Sequence, residues 1–239
     1  MKKSSLLIAG LVVAAAAAAF YVFFLSSRTS PRSVRVMQWI RNPGSHPEWA
    51  VEAGERCGSA PFAMPTDGFI GFLWNDSFNP GHHHTGLDIF GGPDPGVTPV
   101  LAAYDGYLTR LSDWKSTVII RIPQDPLQPG RQIWMYYTHM ADPQGNSLID
   151  PAFPPGTAEK FVEEGTLLGT QGNYSGTASN PTGVHLHFSI VRDDGQGKFL
   201  NELEIENTID PSPYFNLGLS AAEVDSSYVP LCRTAIGEE

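Results

Sequence analysis

The sequence predicts an all-β domain, an antiparallel β-sheet sandwich, preceded by one N-terminal transmembrane helix. Three observations carry this reading. Between Pro61 and Phe215 the apolar residues fall in short runs bounded by turn signals. No long stretch there has helical periodicity. Gly (24) and Pro (20) are both frequent, which favours short strands and turns over long helices. Hydrophobic residues make up 41% of the 239, enough for a real core.

Each strand has its own signal. Phe69 to Trp74 is a continuous apolar run, and Val97 to Ala103 is another. Asp105-Gly106 predicts a hairpin between Val97–Ala103 and Tyr107–Leu111. Thr117 to Ile122 is β-branched. Ile133 to Thr138 follows the Pro/Gly loop 123–130, and Val184 to Val191 alternates polar with apolar residues. Two irregular segments are long, Asp142–Gly156 and Gly172–Gly183, and long ordered loops are often functional. The second runs directly into His185 and is expected to shape a site entrance.

The ends of the chain differ from its body. Leu6 to Leu25 holds 20 residues without a charge, about 30 Å as a helix and long enough to span a bilayer core. Its alanine run sits inside the apolar stretch rather than after it, which favours a retained anchor over a cleaved signal. Pro31, Pro43, Gly44 and Pro47 are expected to interrupt any helix in the segment that follows. Residues 1–35 carry five bases and no acid, so the remainder sets 10 bases against 25 acids. Such a surface repels phosphate, which excludes nucleic acid as a partner. Cys57 and Cys232 flank the domain, and a cysteine pair in an exported protein reads as a disulfide. The organisation expected is an anchor over 1–27, a stalk and N-terminal extension over 28–60, the main domain over 61–215, and a tail over 216–239.

The chemistry lies in His84-Thr85-Gly86-Leu87-Asp88 and His185-Leu186-His187. Side chains alternate along a strand, so His185 and His187 share one face while Leu186 and Phe188 pack on the other. His84 and Asp88, four apart, also share a face, and Gly86 lets the backbone approach closely. Zinc binds imidazole nitrogen and carboxylate oxygen at ~2.0–2.2 Å, and catalytic sites keep one of four positions open. Three ligands are needed and four candidates are present, leaving one imidazole as a base or oxyanion stabiliser. His82 and His83 lack the spacing to Asp88 and read as surface residues.

These motifs resemble the lysostaphin/LytM-type zinc metallopeptidases, which cut peptides of bacterial cell-wall peptidoglycan. The resemblance runs from Phe69 to Tyr214. It includes His84 to Ile89, Val97 to Val100, Ala103 to Gly106, Tyr137 to Met140, Glu164 to Gly169, Gly183 to Phe188 and Asp210 to Tyr214. It implies the duplicated hybrid motif fold, one Zn2+ ion held by His84, Asp88 and His187, and His185 and His139 as catalytic histidines. Ser189 stands where many members carry Glu. The resemblance further implies a peptidoglycan peptide substrate and an extracytoplasmic site on a membrane-anchored chain, or a secreted one if the segment is cleaved. A cell-wall hydrolase or the division machinery is the partner class it suggests. The rival expectation is a non-catalytic wall-binding regulator of other hydrolases, which the intact set of five polar residues disfavours.

Overall fold

The computed structural model describes residues 31–76, 81–217 and 229–232. Residues 6–25, expected to span a membrane, lie outside the described residues. Among those described, no helix is long and apolar enough to cross one.

Among the described residues the fold is mostly β and antiparallel, with one α-helix. Eleven strands are described: β1 (Ala50–Val51), β2 (Gly68–Phe72), β3 (Leu87–Phe90), β4 (Pro99–Leu101), β5 (Gly106–Thr109), β6 (Val118–Ile122), β7 (Ile133–Thr138), β8 (Lys160–Val162), β9 (Leu167–Thr170), β10 (Leu186–Arg192) and β11 (Thr208–Ile209). The large sheet runs β1-β2-β3-β10-β7-β6-β5-β8, and β11 pairs with the end of β10. β4 and β9 form a separate two-stranded sheet. The two layers are therefore unequal.

Alternation along the central strands sorts their side chains. Leu87 and Ile89 of β3, Leu186, Phe188 and Ile190 of β10, and Met135 and Tyr137 of β7 enter one apolar core. The Tyr137 hydroxyl is buried there and accepts from the Ala103 N–H at 2.9 Å, so its burial leaves no oxygen unpaired. The intervening residues Asp88, His187 and Thr138 lie in register across β3, β10 and β7. They face the opposite side, where the site forms.

Two expectations are corrected. The prolines around residues 31–47 do not abolish a helix; they bracket one. Helix α1 (Pro31–Arg41) starts on proline, where the missing N–H costs nothing, and Pro43 follows its end. Its residues Val36 and Trp39 pack on Phe69 and Phe90 of the sheet, with Ile40 beside them, a helical i, i+3, i+4 stripe. The Trp39 indole N–H donates to the Gly91 carbonyl at 2.9 Å. The Asp105-Gly106 hairpin is also absent: β4 pairs with β9, whereas β5 pairs with β6 and β8. The chain uses this turn to pass from one layer to the other. Gly106 serves close approach, since a Cβ there would lie 2.6 Å from the Arg121 carbonyl oxygen.

The segment Asp142–Gly156 belongs to the core, burying Ile149 and Phe153. Cys57 and Cys232 form a disulfide, 175 residues apart in sequence, which ties the chain's C-terminal side to the start of the domain. Thiol labelling of denatured, unreduced protein is expected to find no free cysteine. Cys57→Ala is expected to lower the unfolding free energy by about 2–4 kcal/mol, measured by denaturant titration. Two labelled thiols would contradict the bridge.

Candidate metal centre

The site is built on the β3–β10 pair. Asp88 and His187 are direct partners across that ladder. His84 enters from the connection before β3, and His185 from the residue before β10, where it bridges to Gly172. His139 follows the last residue of β7 and has φ 71°, a left-handed conformation uncommon for a residue with a side chain. That turn aims its ring back across the sheet at His185, with ring centroids 4.5 Å apart.

Two glycines make this convergence feasible. A Cβ at Gly86 would lie 2.2 Å from the Phe188 carbonyl oxygen, so only glycine lets the His84–Asp88 segment close on β10. A Cβ at Gly172 would lie 2.1 Å from the Ala141 carbonyl and 2.4 Å from that of His139. Gly172 therefore holds the His139 turn against the strand that carries His185.

Three candidate ligand atoms meet at one point. Asp88 Oδ1 lies 3.0 Å from His84 Nε2 and 2.8 Å from His187 Nδ1, and the two nitrogens are 3.1 Å apart. Among the described residues these three side chains form the group able to hold a metal ion, and all three are buried. Ligands of a tetrahedral zinc ion at ~2.0–2.2 Å stand roughly 3.3–3.6 Å apart, so the cluster need open by only about half an ångström. The remaining nitrogens are also committed. His84 Nδ1 donates to the Leu73 carbonyl at 2.9 Å, which turns Nε2 toward the cluster. His187 Nε2 donates to Glu202 Oε1 at 2.9 Å, which turns Nδ1 the same way. The donor set of two imidazoles and one carboxylate suits zinc, and its orientation is fixed from behind.

The electrostatics agree. Burial alone would raise the Asp88 pKa, but His84, His185 and hydrogen bonds from His187 and His84 hold it well below the usual carboxylate range. His187 is pulled the other way. Burial opposes its charge, yet Glu202 on one edge and Asp88 on the other raise its pKa to about 10. The cluster thus attracts positive charge, as a proton or as a metal ion.

His185 and His139 differ from the ligand group. Burial lowers the His185 pKa, with Asp88 partly opposing. Burial, with His185 and His187 nearby, lowers that of His139 to about 3. Both rings are neutral at pH 7. His185 Nδ1 donates to the Gly183 carbonyl at 2.7 Å, and His139 Nδ1 to the Tyr174 carbonyl at 2.7 Å. Each therefore keeps Nε2 as a free proton acceptor. His185 Nε2 is 3.5 Å from Asp88 Oδ1, further than the three clustered atoms are from one another. Its ring stacks on Phe90.

These residues line the floor of a groove of about 1070 Å3. Helix α1 forms one wall with Val36, Met37 and Ile40; Trp114, Tyr136 and Leu203 form the other. Tyr174 to Gly176 and Thr182 to Gly183 also line it, as expected of the segment leading into His185. His82 and His83 are exposed at the rim, and His83 contacts Asn75 at 2.8 Å. Sequence reasoning missed Glu202, which has no regular spacing from the other site residues. It also missed α1 as a wall of the groove.

No family model and no curated protein matches the sequence. Among solved structures the chain is similar to the antimicrobial peptidase lysostaphin from Staphylococcus simulans, with 18% identity over 66% of this chain and 54% of that one, at a TM-score of 0.41. It is similar to Csd3 from Helicobacter pylori, with 20% identity over 64% of this chain and 34% of that one, at 0.40. It is similar also to the catalytic domain of the prophage-encoded M23 protein EnpA from Enterococcus faecalis, with 21% identity over 63% of this chain and 94% of that one, at 0.37. The chain spans about a third of Csd3 and about half of lysostaphin. One of these neighbours is lysostaphin itself, whose type the motifs resemble, and another is an M23 protein.

Gly86→Ala is expected to lower the thermal midpoint and weaken metal binding together, because the new methyl group meets backbone rather than a movable side chain. Unchanged stability and binding would contradict the close approach. A metal ion must also displace the His187 proton. Zinc uptake at pH 7 is therefore expected to release about one proton per ion, read from the buffer dependence of the calorimetric enthalpy. Uptake without proton release would contradict the pairing of His187 with two carboxylates.

Proposed function

We propose that this protein is a zinc-dependent endopeptidase that hydrolyses peptide bonds of bacterial cell-wall peptidoglycan, in cross-links or stem peptides. One observation carries the reading: His84, Asp88 and His187 converge at one point on a groove floor, with the neutral imidazoles of His185 and His139 beside them. The motif resemblance supports peptidoglycan as the substrate. The 20 uncharged residues from Leu6 to Leu25 support a membrane anchor, and the disulfide supports an extracytoplasmic domain.

His84, Asp88 and His187 hold the metal. Bound there, zinc supplies Lewis acidity and lowers the pKa of a coordinated water toward ~7. The groove walls orient an extended peptide across the floor. His185 and His139 divide the remaining work. One accepts the proton of the attacking water at Nε2, and the other steadies the oxygen of the tetrahedral intermediate. Hydrolysis then breaks the C–N bond, and the accepted proton passes to the leaving amine. The base role suits a ring whose buried, neutral state leaves the Nε2 lone pair free at pH 7; the ring that steadies the oxygen must carry a proton on Nε2 to donate to it.

The full chain in detergent, incubated with purified peptidoglycan and zinc, is expected to release new amine termini, with fragment masses identifying the bond. Chelation is expected to abolish release and zinc to restore it. His185→Ala is expected to cut release by at least about 10²-fold while zinc stays bound. Wall binding without new amines from any peptidoglycan type would favour the regulator.

A further inference from the structure

We propose that Glu202 is the positioning residue for the metal ligand His187, an inference that rests on the zinc reading above. Glu202 is nine-tenths buried. It comes from the segment after β10, fifteen residues beyond His187. A single oxygen, Oε1, accepts three hydrogen bonds: from the Thr85 hydroxyl at 2.6 Å, from His187 Nε2 at 2.9 Å and from the Ser189 hydroxyl at 3.1 Å. A buried carboxylate is tolerated only when so paired.

The arrangement gives the two nitrogens of His187 different tasks. Nδ1 faces Asp88 and His84, and Nε2 faces Glu202. The nitrogens lie on opposite edges of the ring, so Glu202 stands behind His187 and outside the ligand cluster. It acts through the imidazole. It holds the proton on Nε2, leaves the Nδ1 lone pair toward the metal, and makes that nitrogen a stronger donor. Thr85 and Ser189 in turn fix Glu202. Thr85 lies between the ligand His84 and Gly86, and Ser189 lies two residues past His187 on the same strand face. The carboxylate therefore braces both motifs at once. The small side chain of Ser189, fully buried, leaves the room that Glu202 fills.

The same position offers a rescue. Residues 187 and 189 point the same way, roughly 6.5–7 Å apart along β10. The Ser189 hydroxyl already reaches Glu202 Oε1, so a carboxylate carried by residue 189 can enter the space that Glu202→Ala vacates.

The test measures zinc affinity of the full chain by chelator competition, with the cobalt-substituted absorption spectrum as a second readout. Glu202→Ala is expected to weaken zinc binding by about 10–100-fold and to alter the cobalt spectrum. Adding Ser189→Glu to that variant is expected to recover most of the loss. Should Glu202→Ala fail to fold, Glu202→Gln keeps the shape and an acceptor oxygen, and is expected to lose about tenfold. Folded Glu202 variants that bind zinc within twofold of wild type would overturn the proposal. So would a loss in Glu202→Ala that Ser189→Glu does not recover, because Glu202 would then serve only to hold its own loop. Wild type that binds no zinc would overturn the metal reading itself, a result distinct from equal binding by wild type and variant.

Discussion

The pairing of β3 with β10 is the constraint on which the rest of the structure depends. It sets Asp88 directly opposite His187. A one-residue slip of β10 against β3 would turn His187 toward the core and bring Leu186 to the groove, leaving Asp88 without its partner. The register is held by the apolar partners on the other face, Leu87, Ile89, Leu186 and Phe188, all fully buried. The candidate ligand cluster is thus positioned by hydrophobic residues on the opposite face of the sheet. Gly86 adds the last element, since the strand pair meets closely only where no side chain intervenes.

Around that pair the molecule places neutral imidazoles beside a centre that attracts cations. The division follows from what each ring faces. His187 lies between two carboxylates and is driven toward the charged form, whereas His139 and His185 donate to backbone carbonyls and stay neutral. One residue type is therefore held in two charge states within a few ångströms. The groove takes its shape from the outer face of the same sheet. Helix α1 closes one side with Val36, Met37 and Ile40, and Arg32 reaches from it to Asp76 at 3.2 Å. Asp76 also accepts from the Leu73 N–H, next to the carbonyl that orients His84. The helix is thereby linked to the candidate ligand His84 through three polar contacts.

Much of this was legible in the sequence, for local reasons. The strands β6, β7 and β10 follow from β-branched and alternating runs, and the shared face of His185 and His187 follows from strand periodicity. Close approach at Gly86 was also readable, because a glycine between two ligand candidates has few other uses. What escaped depends on distant parts of the chain. Asp105-Gly106 carries a hairpin signal, but the partner of β4 is β9, more than sixty residues on. The prolines near α1 read as helix breakers, and only the position of Pro31 in the first turn makes it a start signal. Glu202 sits in an irregular segment without periodicity, so nothing local marks it as a partner of His187. His139 stood out by resemblance alone, since its role needs the left-handed turn that carries it off the end of β7.

His84, Asp88 and His187 are together the proposed zinc ligands. X-ray absorption at the zinc edge of the metal-loaded protein tests this assignment most directly. The expected result is one ion per chain with two imidazole nitrogens and oxygen ligands at ~2.0–2.2 Å, the imidazole scattering falling to one ring in His84→Ala or His187→Ala. Zinc bound with three imidazoles or with sulfur, or bound unchanged after loss of His187, would contradict it.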